Sequence, residues 1–322
     1  MKVLVTGGAG FIGSCLIWKL NEGGIKDIIV TDIAKSAESC VNLAGKAFRD
    51  YMDRDELLGY IKQDKLKDDV DTIIHLGACT DTTETDVAYL QKNNYFYSRE
   101  LAQWSSRNGK RFLYASSAAT YGAGELGYND DDELTPKLKP LNEYGVSKQL
   151  FDLWVLENGL QKEFVGFKFF NVYGPNEYHK GEMRSMVNKG YHQIKETGKL
   201  RLFKSYKPEY KDGEQKRDFI YVKDALNVIW FFIEHPEVSG IFNVGTGQVR
   251  TWNELAGALF SALDMEANIE YFDMPLDMRE KYQYYTAADL TKLKGSGCDC
   301  KFSGLNAAVK DYVGYLEKGA CL

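Results

Sequence analysis

Residues 1–14 read MKVLVTGGAGFIGS, an apolar run followed by glycines spaced three residues apart. Gly7, Gly10 and Gly13 stand between a predicted strand and a predicted helix. In such a unit the first glycine permits a tight turn, the second lets the backbone approach a pyrophosphate, and the third allows close packing of helix on strand. The phosphates then lie at the helix N-terminus. The stretch therefore predicts a dinucleotide-binding fold.

An acidic residue at the end of the second predicted strand fits the same fold. Asp32 lies 19 residues beyond Gly13, where a carboxylate can accept hydrogen bonds from the adenosine ribose and so favours NAD. Lys35 and Arg54, after the second and third predicted strands, could instead pair with the 2′-phosphate of NADP. From these residues alone, both NAD and NADP stay open as cofactors.

Short β-branched runs alternate with helical patterns through the first half of the chain, which is typical of βαβ units and a parallel sheet. Several of these runs are continuously apolar, as expected where helices cover both faces of a sheet. We therefore predict an α/β fold, a doubly wound parallel sheet of the Rossmann type with a smaller, discontinuous substrate lobe. The predicted strands cover residues 2–6, 28–31, 71–76, 111–116 and 164–169, and a long helix is predicted at 85–108.

The rhythm changes after Asn171, where the chain becomes richer in lysine, glycine and aromatic residues. A strand-like run at 218–222, a helix to about His235 and an apolar run at 241–244 are expected to return to the sheet. We predict a dinucleotide-binding domain, 1–171 and 218–244, and a substrate-binding domain, 172–217 and 245–322. The acidic run Asp130–Glu133 is expected to be a solvated surface turn.

The composition of the 322 residues, 44% hydrophobic and 27% charged, is typical of a globular protein. The formal charge of −6 argues against nucleic acid as a partner, since such binding rests on a net basic footprint. Without an apolar stretch of about 18 residues or a leader before the first strand, we expect a cytoplasmic protein with no membrane segment. Six cysteines without a CxxC pair and only four histidines predict free thiols and no metal.

A serine, a tyrosine and a lysine form the candidate catalytic set. Ser117 follows the predicted strand at 111–116, and Tyr144 and Lys148 share one face of a predicted helix. The ammonium would lower the pKa of the phenol and hold a nicotinamide ribose, while the serine hydroxyl would hold the substrate oxygen. Such groups perform acid–base work coupled to hydride transfer at a carbinol carbon. Tyr191 and Lys195 have the same spacing, but without a preceding serine-ended strand they are expected on a solvated helix face.

The motifs TGGAGFIGS, YASSAATYG and Tyr144-x-x-x-Lys148 together resemble the extended short-chain dehydrogenase/reductase superfamily of nucleotide-sugar enzymes. The resemblance covers nearly the whole chain. Within the superfamily, the stretches HLGACTDTTETD, FKFFNVYGPNEYHKGEM, KRDFIYVKD and KYQYYTAADLTKL are similar to the 6-epimerases of ADP-heptose. The resemblance implies an isomerase that inverts C6″ of ADP-D-glycero-manno-heptose through a transient ketone, with a retained nicotinamide cofactor. Its product would supply heptose for the lipopolysaccharide core.

Site residues follow from the same resemblance. It implies that Tyr144 and Lys180 are the two acid–base groups, that Lys148 orients the cofactor and that Ser117 assists them. The dinucleotide would contact Gly7, Gly10, Phe11, Ile12, Gly13, Asp32, Ile33, Ser39, Arg54, Leu76, Gly77, Ala78, Cys79, Thr80, Asn93, Lys148 and Val172. The ADP-sugar would contact Asn171, Lys180, Glu182, Lys189, Phe203, Arg217 and Tyr282.

This chain departs from the resembling enzymes at Ser39, where they carry a lysine that would contact the 2′-phosphate. Because Lys35 and Arg54 could make that contact instead, the resemblance favours NADP as the cofactor, and NAD is possible. The resemblance also implies a homo-oligomer, a pentamer, with the ADP-sugar as its partner. A UDP-hexose 4-epimerase or a nucleotide-sugar 4,6-dehydratase is the alternative within the superfamily. Dehydration is disfavoured, because dehydratases carry an Asp-Glu pair where Ser117 is followed by residues 118–120, Ala-Ala-Thr. A cofactor-sensing regulatory protein, from a different class, would need no Tyr–Lys pair.

Overall fold

The computed structural model describes residues 1–33, 41–279 and 282–322. Lys35 and Ser39, both considered for the cofactor site, lie outside the described residues. The strands are β1 (Val3–Thr6), β2 (Ile28–Asp32), β3 (Asp50–Asp53), β4 (Thr72–His75), β5 (Arg111–Ser117), β6 (Val165–Phe169), β7 (Asn171–Tyr173), β8 (Leu200–Phe203), β9 (Lys216–Tyr221), β10 (Gly240–Val244), β11 (Val249–Thr251) and β12 (Ile269–Phe272). The α-helices are α1 (Phe11–Glu22), α2 (Arg54–Lys62), α3 (Val87–Leu90), α4 (Tyr97–Arg107), α5 (Glu143–Glu157), α6 (Met186–Thr197), α7 (Val222–Glu234), α8 (Trp252–Ala262), α9 (Leu276–Arg279), α10 (Thr291–Gly295) and α11 (Leu305–Lys318).

A seven-stranded sheet forms the centre of the molecule, in the order β10-β6-β5-β4-β1-β2-β3. All neighbouring strands in it are parallel. The strand order changes direction between β1 and β4, and open sheets of this kind bind ligands outside the carboxyl ends of the strands at such a point. The predicted α/β fold with a doubly wound parallel sheet is confirmed.

Successive residues of one strand belong to two separate cores, because side chains alternate across a strand. Val3 and Val5 pack in the core that contains residues of α1 and α7. Leu4 packs on the other face, in a core with residues of α2, α4 and α5. All three side chains are at most 1% exposed. Burial on both faces explains why these strands are continuous apolar runs rather than alternating ones.

Each strand predicted in the first half is present, with ends within about two residues of the predicted ones. Strand β3 was not predicted, because its sequence DYMD is polar. The strand-like run predicted at 218–222 does not join the main sheet, so this prediction is wrong. It forms β9, which pairs with β7 and β11 in a separate three-stranded sheet. The position beside β6 is taken by β10 along its whole length. The predicted division into two domains stays a prediction.

The long helix predicted at 85–108 is present, but it is not uniform. Between α3 and α4 lies a π-helical segment, Gln91–Phe96. Such segments are rare and are frequent at functional sites. No helix in the described part of the chain is long and apolar enough to cross a membrane.

The acidic run Asp130–Glu133 is not simply a solvated turn, so that expectation is wrong for its first residue. Asp130 is only 3% exposed, and its carboxylate accepts the backbone N–H of Asn243 at 2.7 Å. The ammonium of Lys292 donates to the Asp130 carbonyl at 3.1 Å and to the Asp132 carboxylate at 2.7 Å. The run therefore ties the loop before α5 to β10 and α10.

Candidate active site

The loop between β1 and α1 requires glycine at two positions. Gly7 has a φ of +66°, and a Cβ there would lie 2.6 Å from Gly77 Cα. A Cβ on Gly13 would lie 2.0 Å from the carbonyl oxygen of Gly7. Helix α1 follows Gly10, with Phe11 and Ile12 as its first two residues, and no side chain caps its N-terminus. Its first N–H groups are therefore left for an anion, which fits a pyrophosphate.

Asp32 and Arg54 lie at the ends of neighbouring strands. β2 and β3 pair Asp32 with Asp53, and Arg54 follows directly at the start of α2. The Asp32 carboxylate accepts the N–H of Ala9 at 2.9 Å, which joins the strand end to the glycine loop. Ile33, the next residue, is exposed. The structure thus brings two predicted cofactor residues together at the carboxyl ends of these strands. Asp32 is the predicted partner of the adenosine ribose, and Arg54 is the predicted partner of a 2′-phosphate.

The loop after β4, Leu76–Thr80, is held by a residue that the sequence did not single out. Asn94 lies in the π-helical segment; its Oδ1 accepts the Cys79 N–H at 2.8 Å and its Nδ2 donates to the Cys79 carbonyl at 2.9 Å. The same Nδ2 donates to Ser147 Oγ in α5 at 3.0 Å. One side chain therefore connects the predicted cofactor loop to the helix that carries Tyr144.

A buried chain of hydrogen bonds holds the loop Leu76–Thr80 in place. The Gly77 N–H donates to Thr6 Oγ1 at 3.2 Å, and Thr6 Oγ1 lies 2.6 Å from His75 Nδ1. His75 Nε2 lies 2.7 Å from Ser98 Oγ, which donates to the Asn94 carbonyl at 2.7 Å. Burial lowers the pKa of His75 to about 3, so the imidazole is neutral and can donate at one nitrogen and accept at the other. The chain fixes β1, β4 and the π-helical segment relative to one another.

Asn93, a predicted cofactor residue, has an unused acceptor. Its side chain is 3% exposed, and Nδ2 donates to the Tyr89 carbonyl at 2.7 Å. Among the described residues, its Oδ1 is buried without a hydrogen-bond partner. A buried acceptor of this kind costs free energy unless a ligand or water donates to it. The observation fits a polar group of a bound cofactor beside the loop Leu76–Thr80.

Tyr144 lies in the first turn of α5, which Asn142 caps by accepting the Gly145 N–H at 2.8 Å. The tyrosine is 8% exposed. Burial raises the pKa of Tyr144 to about 12, and the nearby hydroxyl of Ser117 at the end of β5 only partly opposes this. The expectation that Lys148 lowers this pKa is wrong for the protein alone, because the ammonium is engaged elsewhere.

Lys148 donates from Nζ to the Ala115 carbonyl at 3.0 Å. Burial lowers its pKa to about 8, and the charge of Asp152 opposes this. Asp152, one helical turn further, forms a fully buried ion pair with Lys168 of β6 at 2.9 Å. The Asp152 carboxylate also accepts the Ser116 hydroxyl at 2.7 Å. This pair was not predicted, although a lysine between two phenylalanines in a buried strand indicates a charge that needs a partner.

Tyr191 and Lys195, the second pair with the same spacing, lie in α6 outside this site. Tyr191 is 7% exposed and packs in the core, so the expected solvated face is wrong for the tyrosine. Its hydroxyl donates to the Glu317 carboxylate at 3.4 Å, and the exposed Lys195 donates to the same carboxylate at 3.1 Å. The pair links α6 to α11 and has no strand end beside it.

Lys180 lies in a 3-10 helical segment, Tyr178–Met183, and its Nζ is 5.6 Å from the centroid of the Phe11 ring at the start of α1. Within the described part of the chain, its ammonium has no hydrogen-bond partner and does not contact Tyr144. Burial lowers the pKa of Lys180, and the charge of Glu177 opposes this. The Glu177 carboxylate accepts the Ser185 hydroxyl at 2.6 Å and so anchors the segment. A half-buried lysine whose ammonium has no hydrogen-bond partner among the described residues, beside the first turn of α1, is suited to proton transfer.

A cavity of 320 Å³ opens at the end of the segment Tyr178–Met183, between β7, β8 and α8, and Lys180 itself is not part of its lining. Its size is that of a small-molecule site. Glu182 is not part of its lining; it is exposed, and its carbonyl accepts the Lys189 ammonium at 3.1 Å. The predicted residues that line the cavity are Asn171, Val172, Lys189, Phe203 and Tyr282, and those not predicted include Arg184, Phe219, Trp252 and Leu255.

Arg217 lies behind this lining rather than in it. Its guanidinium is 5.0 Å from the ring centroid of Tyr282 and 5.8 Å from that of Trp252. The indole of Trp252 donates to the Tyr282 hydroxyl at 2.8 Å. Burial lowers the pKa of Arg217, whose side chain donates to the carbonyls of Gln283 and Lys216. The sequence singled out Arg217 and Tyr282 separately, but it gave no sign that the two contact each other or that Trp252 joins them.

The chain matches the model of the NAD dependent epimerase/dehydratase family over residues 3–245. The ADP-L-glycero-D-manno-heptose-6-epimerase of Nitratidesulfovibrio vulgaris strain DP4 is 52% identical over 310 residues, which cover 96% of each chain. The enzyme of that name from Fusobacterium nucleatum subsp. nucleatum is 45% identical over 326 residues, or 98% of each chain.

A solved structure agrees with these relatives. The crystal structure of the Helicobacter pylori ADP-L-glycero-D-manno-heptose-6-epimerase has a TM-score of 0.81 at 27% identity, and the match covers 98% of this chain and 96% of that one. The glycine loop, Tyr144 with the nearby Ser117, and Lys180 are the candidates for the groups that an epimerase dependent on a nicotinamide requires. The chain is therefore an epimerase that belongs to the NAD dependent epimerase/dehydratase family and, within it, to the ADP-L-glycero-D-manno-heptose-6-epimerases.

Proposed function

We propose that the protein converts ADP-D-glycero-manno-heptose to ADP-L-glycero-manno-heptose by inversion at C6″. The observation that carries the proposal is that two candidate proton-transfer groups lie on separate segments. Tyr144 lies near Ser117 at the end of β5, whereas Lys180 lies on a different segment, against the first turn of α1. Inversion requires the sugar to turn in the site before hydride returns to C6″. The ketone oxygen then receives its proton in a different position, so a second acid–base group in that position is useful.

The pKa of Tyr144 would be lowered by the positive charge of a bound oxidised nicotinamide, so that the phenolate removes the proton of the C6″ hydroxyl in one orientation of the sugar. Ser117 donates to the same oxygen and holds it in place. In the other orientation Lys180 transfers the proton at that oxygen. The lowered pKa of Lys180 suits this role, because a lysine closer to neutral pH exchanges its proton more readily. The cavity lined by Lys189, Phe203 and Trp252 would receive the ADP part of the substrate.

The residues present fit a nicotinamide dinucleotide. Gly7 to Gly13 and the uncapped start of α1 would hold its pyrophosphate, Asp32 and Arg54 its adenosine end, and Asn93 and Lys148 its nicotinamide end. When bound, the nicotinamide would take a hydride from C6″ and return it to the opposite face. A homo-oligomer, a pentamer by resemblance, remains a prediction.

We expect the purified protein to retain tightly bound NADP, since a hydride that must return benefits from a cofactor that stays. Acid release and chromatography will identify it. Arg54→Ala should weaken NADP relative to NAD by roughly 10- to 100-fold, the worth of a charge-assisted hydrogen bond to phosphate. Lys62→Ala, which removes an exposed cation at the other end of α2, is the matched control. An unchanged ratio of NADP to NAD in Arg54→Ala would contradict the preference for NADP.

The reaction is tested with ADP-D-glycero-manno-heptose and NMR of the product. We expect the L-glycero epimer, with no deuterium at C6″ when the reaction runs in D₂O, because the hydride does not exchange with solvent. UDP-glucose and UDP-galactose are the comparison substrates. Conversion of the UDP-hexoses without inversion of the heptose would support a 4-epimerase instead. No turnover of any of these sugars by cofactor-loaded protein would count against both epimerases.

A further inference from the structure

Two cysteines outside the active site lie unusually close together. Cys298 and Cys300 follow α10, and their Sγ atoms are 3.0 Å apart. No disulfide joins them. A disulfide requires an S–S distance of about 2.05 Å, so closure of this pair needs a shift of only about 1 Å. Their C-x-C spacing is not the C-x-x-C spacing of common redox motifs, and the sequence predicts only free thiols.

The backbone on both sides of the pair is held in place. Cys298 is 3% exposed and belongs to the core, while Cys300 is half-buried and packs against the same core. Three residues further, the Ser303 N–H and hydroxyl donate to the two carboxylate oxygens of Asp224 at 2.8 and 3.0 Å. Asp224 lies in the first turn of α7. The sulfurs are therefore held close by packing and by a tether, with Cys300 presenting the pair to solvent.

We propose that Cys298 and Cys300 are a redox-active dithiol that a low-molecular-weight disulfide converts reversibly to an intramolecular disulfide. One cysteine thiolate attacks the small disulfide, forms a mixed disulfide and releases one small thiolate. The second cysteine then attacks the protein sulfur of the mixed disulfide and releases the other small thiolate. Two electrons pass from the cysteines to the small disulfide. The two thiol protons end on the two released small thiols.

The ionisation of the pair supports this chemistry. Either thiol can donate across the contact between the two sulfurs, and a hydrogen bond received from Cys300 lowers the pKa of Cys298 to about 7. The ring of His235, after the end of α7, adds a smaller effect in the same direction. The pKa of Cys300 is raised in return, because it holds the shared proton. A thiolate is the attacking species in disulfide exchange, so the pair is reactive near neutral pH.

Trypsin allows the pair to be followed alone, because cleavage after Lys294 and Lys301 gives the peptide GSGCDCK, which contains no other cysteine. The purified holoenzyme is equilibrated with mixtures of oxidised and reduced glutathione, quenched in acid, alkylated and digested. We expect the unalkylated peptide, lighter by two hydrogens than the dithiol, to replace the doubly alkylated one as the ratio rises, and to revert with reductant. A peptide that stays doubly alkylated at every ratio would overturn the proposal.

Serine variants, and the dependence of the closure rate on pH, distinguish this pair from ordinary exposed thiols. Cys298→Ser and Cys300→Ser should give only a glutathione adduct of the peptide, whereas the control Cys321→Ser should close as the wild type does. The rate of closure should rise about tenfold between pH 6 and pH 8 and level off above, as a first pKa near 7 requires. A rate that keeps rising through pH 9, as for an unperturbed thiol, would argue against a preset pair. If a serine variant does not fold, the wild-type titration alone decides.

Discussion

Tyr144→Phe is expected to lower epimerisation by roughly 10²- to 10⁴-fold, the usual contribution of a positioned acid–base group. The change removes only the hydroxyl near Ser117, and the ring still fills its buried position in α5. Fold and cofactor content should therefore be retained. Initial rates with ADP-heptose, measured together with the released dinucleotide and the thermal midpoint, check the expectation.

Tyr191→Phe is the matched control for this variant. Tyr191 has a lysine four residues on, as Tyr144 has, and is similarly buried, but its hydroxyl contacts Glu317 rather than the site. We expect near-normal turnover from it. A folded, cofactor-loaded Tyr144→Phe protein with the rate of Tyr191→Phe would remove Tyr144 from the mechanism.

Local patterns in the sequence predicted the parts of the site that lie on short segments. The glycine loop, Asp32 at the end of β2, and Tyr144 with Lys148 on one helix face each depend on spacings of a few residues within one element. The parallel sheet then brings these segments together, since the carboxyl ends of parallel strands share one edge. This is why the fold could be predicted from local patterns, and why the serine-ended strand before Tyr144 distinguished the candidate catalytic pair from Tyr191 and Lys195, which have the same spacing.

Long-range contacts are what the sequence could not provide. Asn94 connects Cys79 to Ser147 across two elements, and an asparagine in a helix gives no sign of such partners. Asp130 stands in a run of acidic residues that suggested solvent, yet its carboxylate reaches the backbone of β10. Whether a polar side chain is buried depends on what packs over it, and no local pattern contains that information.

Strand placement failed for the same reason. The sequence of β9 would suit a strand of the seven-stranded sheet as well as one of the three-stranded sheet. The position beside β6 is taken by β10, and β9 lies in the three-stranded sheet. The consequence for the site is considerable, because β9 carries Arg217 to the aromatic rings of Trp252 and Tyr282. The rings come from segments more than thirty residues away in the sequence.

Lys180→Met is expected to reduce epimerisation by at least roughly 10²-fold in both directions, since forward and reverse reactions pass through the same two proton transfers. Methionine keeps much of the apolar stem that packs near Phe11 and removes the ammonium. Cofactor content and the thermal midpoint should change little. The variant is assayed from each ADP-heptose epimer, with Lys67→Met, at an exposed loop lysine, as the control.

A partial reaction distinguishes loss of one base from loss of the whole site. With Lys180 absent, Tyr144 still serves the orientation in which it faces the C6″ hydroxyl, so oxidation of one epimer should persist and appear as a transient absorbance of reduced nicotinamide. Tyr144→Phe should show the complementary loss, from the other epimer. A solvated lysine, by contrast, would change stability by only about ±0.5 kcal/mol and leave the rate unaltered. Near-wild-type rates in Lys180→Met from both epimers would therefore defeat the two-base proposal and leave Tyr144 as the single acid–base group.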